Sequence, residues 1–340
     1  MADPIRVMIA LSTPIADGPL APVRAVSPRL NVEAQVVGSL AELGSKLAEV
    51  EVLLTTFPLP PVQQAPRLRW VQTFFAGVDG WLERSGDHVK DVLVTTASGV
   101  HGPNMAEYSL MMMLAWSHAL PEMLGYQRQG VWPAERRKVL VPGELRGATL
   151  GVVGYGSIGR EAARLANALG LRVLACKRDP GQHLDTGWTL PGTGDPLGKL
   201  PERFFALGDL REMLPQCDYV LLTLALTDTT RHIIDADALR AFKPTAVLVN
   251  VARGGLVDEA ALIEALRSGA LRGAGLDVFE TEPLPAASPL WSLPNVLLTP
   301  HISGVTPAYN DRLMALFADN LKRYLAGDEL LNLVNVEAGY

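Results

Sequence analysis

The sequence predicts an α/β protein built from two doubly wound parallel-sheet domains, and three observations carry that reading. Its 340 residues exceed what one hydrophobic core usually organises. Short apolar runs alternate with helical patterns along nearly the whole chain. A strand beginning at Thr149 runs directly into Gly154-Tyr155-Gly156-Ser157-Ile158-Gly159, a glycine turn that opens a helix.

Composition removes several classes. With 48% hydrophobic and 19% charged residues, the chain has ample material for cores and is not disordered. Lys and Arg total 30 against 36 Asp and Glu, a net charge of −6, and no basic stripe or run of five like charges invites nucleic acid. The longest apolar run in the most hydrophobic region, 110–116, is far short of the roughly 20 residues that span a bilayer, so no membrane partner is expected. Asp3 and Pro4 stand where a basic leader would begin, and Cys176 and Cys217 form no disulfide framework, so a cytoplasmic protein is expected. His101 and His118 are 17 residues apart with no HxxxH or HExxH pattern, so no metal is expected.

Taken in order, Ile5–Leu11, Val52–Thr55, Trp70–Thr73 and residues 92–95 read as buried parallel strands, with a helix over 39–48. Past His101 the texture changes to a long helical pattern over 104–119, ended by Pro121, whose Met111, Met112 and Met113 read as core filling. Strands are then expected at 149–153, 171–176, 219–224, 246–251, 274–279 and 296–299, with a helix over 158–169. Residues 180–208 are rich in Gly and Pro and read as a long surface loop. A last helix over 307–326 is expected to return to the first domain.

The glycine turn alone is weak evidence, because 31 glycines in 340 residues produce the three fixed positions by chance roughly 0.25 times. The preceding strand, the following helix and Gly170 at that helix's end make it a Rossmann-type dinucleotide site, with Gly154, Tyr155, Gly156, Ser157, Ile158 and Gly159 around the pyrophosphate. An Asp or Glu ending the second strand would bind the ribose hydroxyls of NAD. Here the strand ends in Lys177-Arg178-Asp179, and the two bases suit a 2′-phosphate, so NADP is the preferred cofactor. NAD stays open, since Asp179 could take the ribose instead.

Three distinctive groups fall just past three strands, where ligands of parallel sheets bind. They are Arg253 in Asn250-Val-Ala-Arg-Gly-Gly255, Glu282 before Pro283, and His301 in Thr299-Pro-His-Ile-Ser-Gly304. An imidazole can exchange a proton near neutral pH, a carboxylate can hold its second nitrogen, and a guanidinium can bind a carboxylate or carbonyl.

In these motifs, and in Phe75-Ala-Gly-Val-Asp79, Ser98-Gly-Val-His-Gly-Pro-Asn-Met-Ala-Glu107, LTLALTDTTRHII and GAGLDVFETEPLP, the chain resembles the D-isomer-specific 2-hydroxy acid dehydrogenases over nearly its whole length. The resemblance implies a flavodoxin-like substrate-binding domain, 1–101 with 304–340, and a dinucleotide-binding domain, 102–303, hinged near 101 and 300. It implies hydride transfer between NADP(H) or NAD(H) and C2 of a small 2-keto or 2-hydroxy acid of D configuration, of glyoxylate/hydroxypyruvate or another type. Arg253, Glu282 and His301 match the catalytic residues. Backbone amides at Ala76 and Gly77 would hold the substrate carboxylate, with Arg253 and His301. Leu224, Ala225, Thr227, Val251, Ala252, Arg253, Asp277, His301 and Gly304 match positions lining the cofactor, Asp277 at the nicotinamide carboxamide. Ala225 replaces a common Pro, a minor departure. Substrate choice would lie with Phe74, Phe75, Trp81 and Trp132, and a homodimer is implied, with the 104–119 helix at its interface. The alternative is a dinucleotide-sensing, corepressor-like interaction protein, since such proteins resemble the same family and keep the same three residues.

Overall fold

The computed structural model describes residues 4–336, and the chain divides into two compact units. One takes the chain up to His101, the short stretch Thr186–Leu190 and the chain from Thr306 onward. The other takes Gly102–Asp185 and Pro191–Val305.

In the first unit β1 (Ile5–Leu11), β2 (Leu30–Val36), β3 (Val52–Thr55), β4 (Trp70–Thr73) and β5 (Leu93–Thr95) form a parallel sheet in the order β2-β1-β3-β4-β5. The chain reverses direction across the sheet between β1 and β3, as in flavodoxin-like folds. β3 and β4 are buried throughout, as strands covered on both faces must be. β2, with the sequence LNVEAQV, lies at the edge and is buried nowhere, which is why a search for apolar runs passes over it. The helix expected over 39–48 is a 3-10 segment, Leu40–Glu49, kinked at Gly44, with Leu40, Leu43 and Leu47 still buried. The terminal helix Tyr309–Ala326 packs into this unit's core, where the Trp70 ring meets Phe317 at 5.3 Å and Tyr324 at 5.6 Å.

In the second unit β6 (Thr149–Val153), β7 (Arg172–Cys176), β8 (Arg203–Phe205), β9 (Tyr219–Leu222), β10 (Val247–Asn250), β11 (Gly273–Leu276) and β12 (Val296–Leu298) are likewise all parallel, in the order β12-β11-β10-β9-β6-β7-β8. This is the doubly wound Rossmann order with one strand added, and its switch point falls between β6 and β9. Helix Gly102–Ser117 lies on the sheet over Gly275, where a Cβ would stand 2.8 Å from Met112 Sδ. Met112 and Met113 are core residues, but Met111 is 49% exposed, so two of the three methionines fill the core. Pro121 begins a helix rather than ending one. It sits in the first turn of Leu120–Gln129, where no backbone N–H is needed.

The segment after β7 runs to residue 202 without a regular element, yet it is anchored at both ends. Arg160, 2% exposed on helix Ser157–Ala168, donates to the carbonyls of Asp195 (2.6 Å) and His183 (2.8 Å). The Tyr155 hydroxyl donates to Asp195 Oδ2 at 2.8 Å, and the Lys199 and Leu200 amides close on the same carboxylate. Between these anchors, Thr186–Leu190 belongs to the first unit. There the Trp188 amide donates to Asn332 Oδ1 at 3.0 Å and its indole N–H donates to Asp319 Oδ2 at 3.2 Å. The surface loop expected over 180–208 is therefore corrected twice: its end carries strand β8, Arg203–Phe205, paired to β7, and its middle is core of the first unit.

Gly99 has φ +93°, and a Cβ on it would run into the Trp188 carbonyl, whereas Gly86, also at positive φ, faces open space. Gly86 has ψ −153°, a backbone region that is nearly glycine-only, so Gly86→Ala is expected to cost about 1–3 kcal/mol from backbone strain alone, and Gly99→Ala clearly more. Thermal unfolding of the two variants tests this. Equal shifts in Tm would remove Trp188 from the first unit's packing.

Candidate active site

The glycine turn follows β6 at the switch point, and each glycine has its own steric reason. At Gly154, φ +101°, a Cβ would stand 2.6 Å from the Leu224 amide nitrogen. At Gly159 it would meet Val152 Cγ1 at 2.8 Å, so this glycine lets helix Ser157–Ala168 lie close on β6. At Gly156 it would meet nothing within 4 Å. The turn thus has one open face, above Gly156, and no side chain caps the helix that starts there. Unclaimed amides at a helix N-terminus fit a pyrophosphate. Ser157 and Ile158 stand in that first turn, half-buried.

Tyr155 has its side chain engaged elsewhere. Its side chain is buried against Asp195, and burial, then that hydrogen bond, pushes its phenol far above the usual range. Only its backbone faces the turn's open side. Val251 and Ala252 are likewise core side chains, and Leu224 packs on the same core. Ala225 is exposed, and Gly304 and Thr227 are half-buried, with the Thr227 amide donating to Thr230 Oγ1 at 2.8 Å. At the end of β7, Lys177 is half-buried and its ammonium donates to the Gln182 carbonyl; burial, then Arg160, lowers its pKa. Arg178 is exposed.

Arg253, Glu282 and His301 line one cavity of about 540 Å³ at the carboxyl ends of β10, β11 and β12. Asn250, ending β10, shapes the arginine's turn: its side-chain amide donates to the Arg253 carbonyl at 2.9 Å, and its side-chain oxygen accepts from the Ala252 amide at 3.1 Å. Glu282 Oε1 accepts from the Phe279 amide at 2.9 Å, which leaves Oε2 to meet His301 Nδ1 at 2.7 Å. The imidazole is therefore held by Nδ1, half-exposed, and Nε2 is the nitrogen available to a ligand. His301 has φ +52°, a conformation that costs a non-glycine residue about 1–2 kcal/mol.

Asp277 holds that conformation. Its carboxylate, 0% exposed, accepts from the Ile302 amide (3.0 Å), the Ser303 amide (2.9 Å) and the Thr299 hydroxyl (2.6 Å), while its carbonyl accepts from the His301 amide (2.8 Å). The residue expected at the nicotinamide carboxamide thus also frames the 299–303 loop.

Sequence reasoning missed a second imidazole–carboxylate pair in the same cavity, His232 Nε2 with Glu280 Oε1 at 2.7 Å, and beside it Arg231. The available signal was Glu280 two residues before Glu282, at the same strand end. Ala76 and Gly77 lie in the other unit, half-buried in the loop after β4. Trp81 is not a pocket residue: it is 2% exposed and its indole N–H donates to the Phe57 carbonyl at 2.8 Å. Phe75 and Trp132 are exposed. Among the described residues, no three His, Cys, Asp or Glu side chains gather as metal ligands, and no helix is long and apolar enough to cross a membrane.

The family model for the D-isomer specific 2-hydroxyacid dehydrogenase NAD binding domain matches residues 110–303. The chain belongs to that family. It is 37% identical over 301 residues to an (S)-sulfolactate dehydrogenase of Chromohalobacter salexigens, covering 86% of this chain and 90% of the relative. It is 34% identical over 291 residues to a glyoxylate reductase of Korarchaeum cryptofilum, covering 85% and 83%. A D-isomer specific 2-hydroxyacid dehydrogenase from Xanthobacter autotrophicus, solved with NADPH and MES, superposes with TM-score 0.78 at 31% identity over the whole of both chains. This dehydrogenase therefore shares with that structure its two parallel-sheet units.

Asp277→Ala strands two amides and a hydroxyl, and each unsatisfied buried group costs about 1–3 kcal/mol. The urea midpoint is expected to fall, and to fall less for Asp277→Asn, which keeps one acceptor oxygen. An unchanged midpoint for the Ala variant would remove Asp277 as the loop's frame.

Proposed function

We propose that the protein is an NADPH-preferring reductase of a small 2-keto acid, yielding the D-2-hydroxy acid, with glyoxylate and hydroxypyruvate the first substrates to try. The observation that carries this reading is the Glu282–His301 pair at 2.7 Å in one cavity with Arg253. When bound, NADPH supplies the hydride that adds to C2. His301, protonated, gives a proton from Nε2 to the substrate's carbonyl oxygen, and takes it back in the reverse direction. Glu282 fixes the ring's orientation through Nδ1 and offsets the imidazolium charge. Arg253 binds the keto acid through its guanidinium.

The cofactor is held at the Gly154–Gly159 turn, and its 2′-phosphate meets Lys177 and Arg178. Lys177 has donors beyond the one given to Gln182, and no carboxylate stands in its place at the end of β7. The solved relatives with NADPH or NADP bound support that choice. The dinucleotide-sensing, corepressor-like alternative is not favoured, because the curated relatives are named as reductases and dehydrogenases.

The working form in this reading is a homodimer. Met111, Leu114, Met123, Trp132, Val139 and Val141 are exposed apolar side chains along one stretch of the second unit, and Trp132 is 81% exposed. Such surface is costly to leave in water. A cytoplasmic setting accords with Cys176 and Cys217, both free and buried, whose thiols burial pushes up to about 12.

Steady-state oxidation of NADPH and NADH with a panel of 2-keto acids tests the reading. His301→Ala is expected to lower kcat at least 100-fold, with NADPH binding, read by its fluorescence, retained. Turnover within tenfold of the parent would take the proton transfer away from His301. The double variant Lys177→Ala, Arg178→Ala is expected to lower the NADPH-to-NADH ratio of kcat/KM about tenfold or more; an unchanged ratio would release both residues from the 2′-phosphate.

A further inference from the structure

We infer that Arg231 reads a second, distal anion on the substrate, so that the preferred 2-keto acids carry a carboxylate, sulfonate or phosphate beyond C2. This deepens the reading above and rests on it.

The loop carrying Arg231 is built against the catalytic turn. The His232 amide donates to the Gly255 carbonyl at 2.9 Å, the Ile234 amide donates to the Leu256 carbonyl at 3.0 Å, and Ile234 bridges Val257. Gly255 lies two residues past Arg253 in the chain, and a Cβ on it would stand 3.2 Å from Arg231 Nη1. The guanidinium therefore lies over the backbone of the turn that presents Arg253, and both arginines line the cavity that holds His301. His232 reaches across to Glu280, on the loop that carries Glu282, so this rim joins the loops after β9 and β11.

The charges differ in how they are engaged. Glu282 is taken by His301 and the Phe279 amide. Glu280 is taken by His232. Arg231 has neither an ion pair nor a side-chain hydrogen bond among the described residues. An exposed guanidinium without a partner is ordinary on an open surface. Lining the cavity of the reacting groups, it is a fork of donors facing the space where the substrate's far end must go. That fork matches a planar carboxylate or the oxygens of a sulfonate or phosphate. Because His232 Nε2 already stands 2.7 Å from Glu280 Oε1, an incoming anion does not meet a carboxylate without a hydrogen-bond partner at that rim.

The experiment compares acids of like size that differ in the distal charge: oxaloacetate and sulfopyruvate each against 2-oxobutyrate, and 3-phosphohydroxypyruvate against hydroxypyruvate, all with NADPH. The parent enzyme is expected to favour the charged member of at least one pair in kcat/KM. Arg231→Met is expected to reduce that preference about tenfold, chiefly through KM, Arg231→Lys to restore part of it, and Arg231→Glu to reverse it. The pair with the largest change identifies the anion. A preference unchanged in Arg231→Met, or both members of a pair slowed alike, overturns the inference while leaving the reductase intact. Turnover of no acid by the parent overturns the reductase reading, and this inference with it.

Discussion

The chemistry of the second unit depends on one buried carboxylate. Asp277 ends up with no exposed surface because three groups of the 299–303 loop close on it. Those bonds hold His301 in a left-handed backbone conformation that few non-glycine residues adopt. Burying a charged group without partners would be prohibitive, so the loop and the aspartate stabilise each other or neither is stable. The position of the imidazole is thus set by a buried carboxylate outside its own loop.

Parallel sheets place such loops together for a topological reason. Every strand of the second sheet ends on the same edge, so the segments after β9, β10, β11 and β12 are neighbours, though they lie far apart in sequence. Two imidazole–carboxylate pairs arise there, His301 with Glu282 and His232 with Glu280, both at 2.7 Å. Their histidines have φ of +52° and +50°. Each ring is brought to its carboxylate by a sharp turn of its own loop, and loops on a rigid sheet edge can hold such turns where a helix could not.

The segment between β7 and β8 shows the same economy from another direction. Arg160 and Tyr155 stand on the helix and turn of the dinucleotide site, yet both side chains face away from it and hold the Asp195 end of that segment. Trp188, in its middle, is buried in the first unit. A stretch whose Gly and Pro content reads as free surface is tied down by a buried guanidinium, a phenol and an indole.

The sequence by itself determined the α/β class, most strands of both sheets, the glycine turn and the three groups, Arg253, Glu282 and His301, that line one cavity. Each of these is written locally, as an apolar run, a steric demand for glycine or a functional residue just past a strand. It did not disclose β2, whose half-polar edge pattern resembles a loop, or that Met111 is exposed while its two neighbours are buried. Nor could it separate Tyr155 as a buried anchor from Tyr155 as a cofactor contact, or disclose Asp277 as the frame of the histidine loop. It could not pair His232 with Glu280 or place Arg231 beside Arg253. Those depend on which distant segments share a sheet edge and which side chains are left without partners, and only the packed chain decides both.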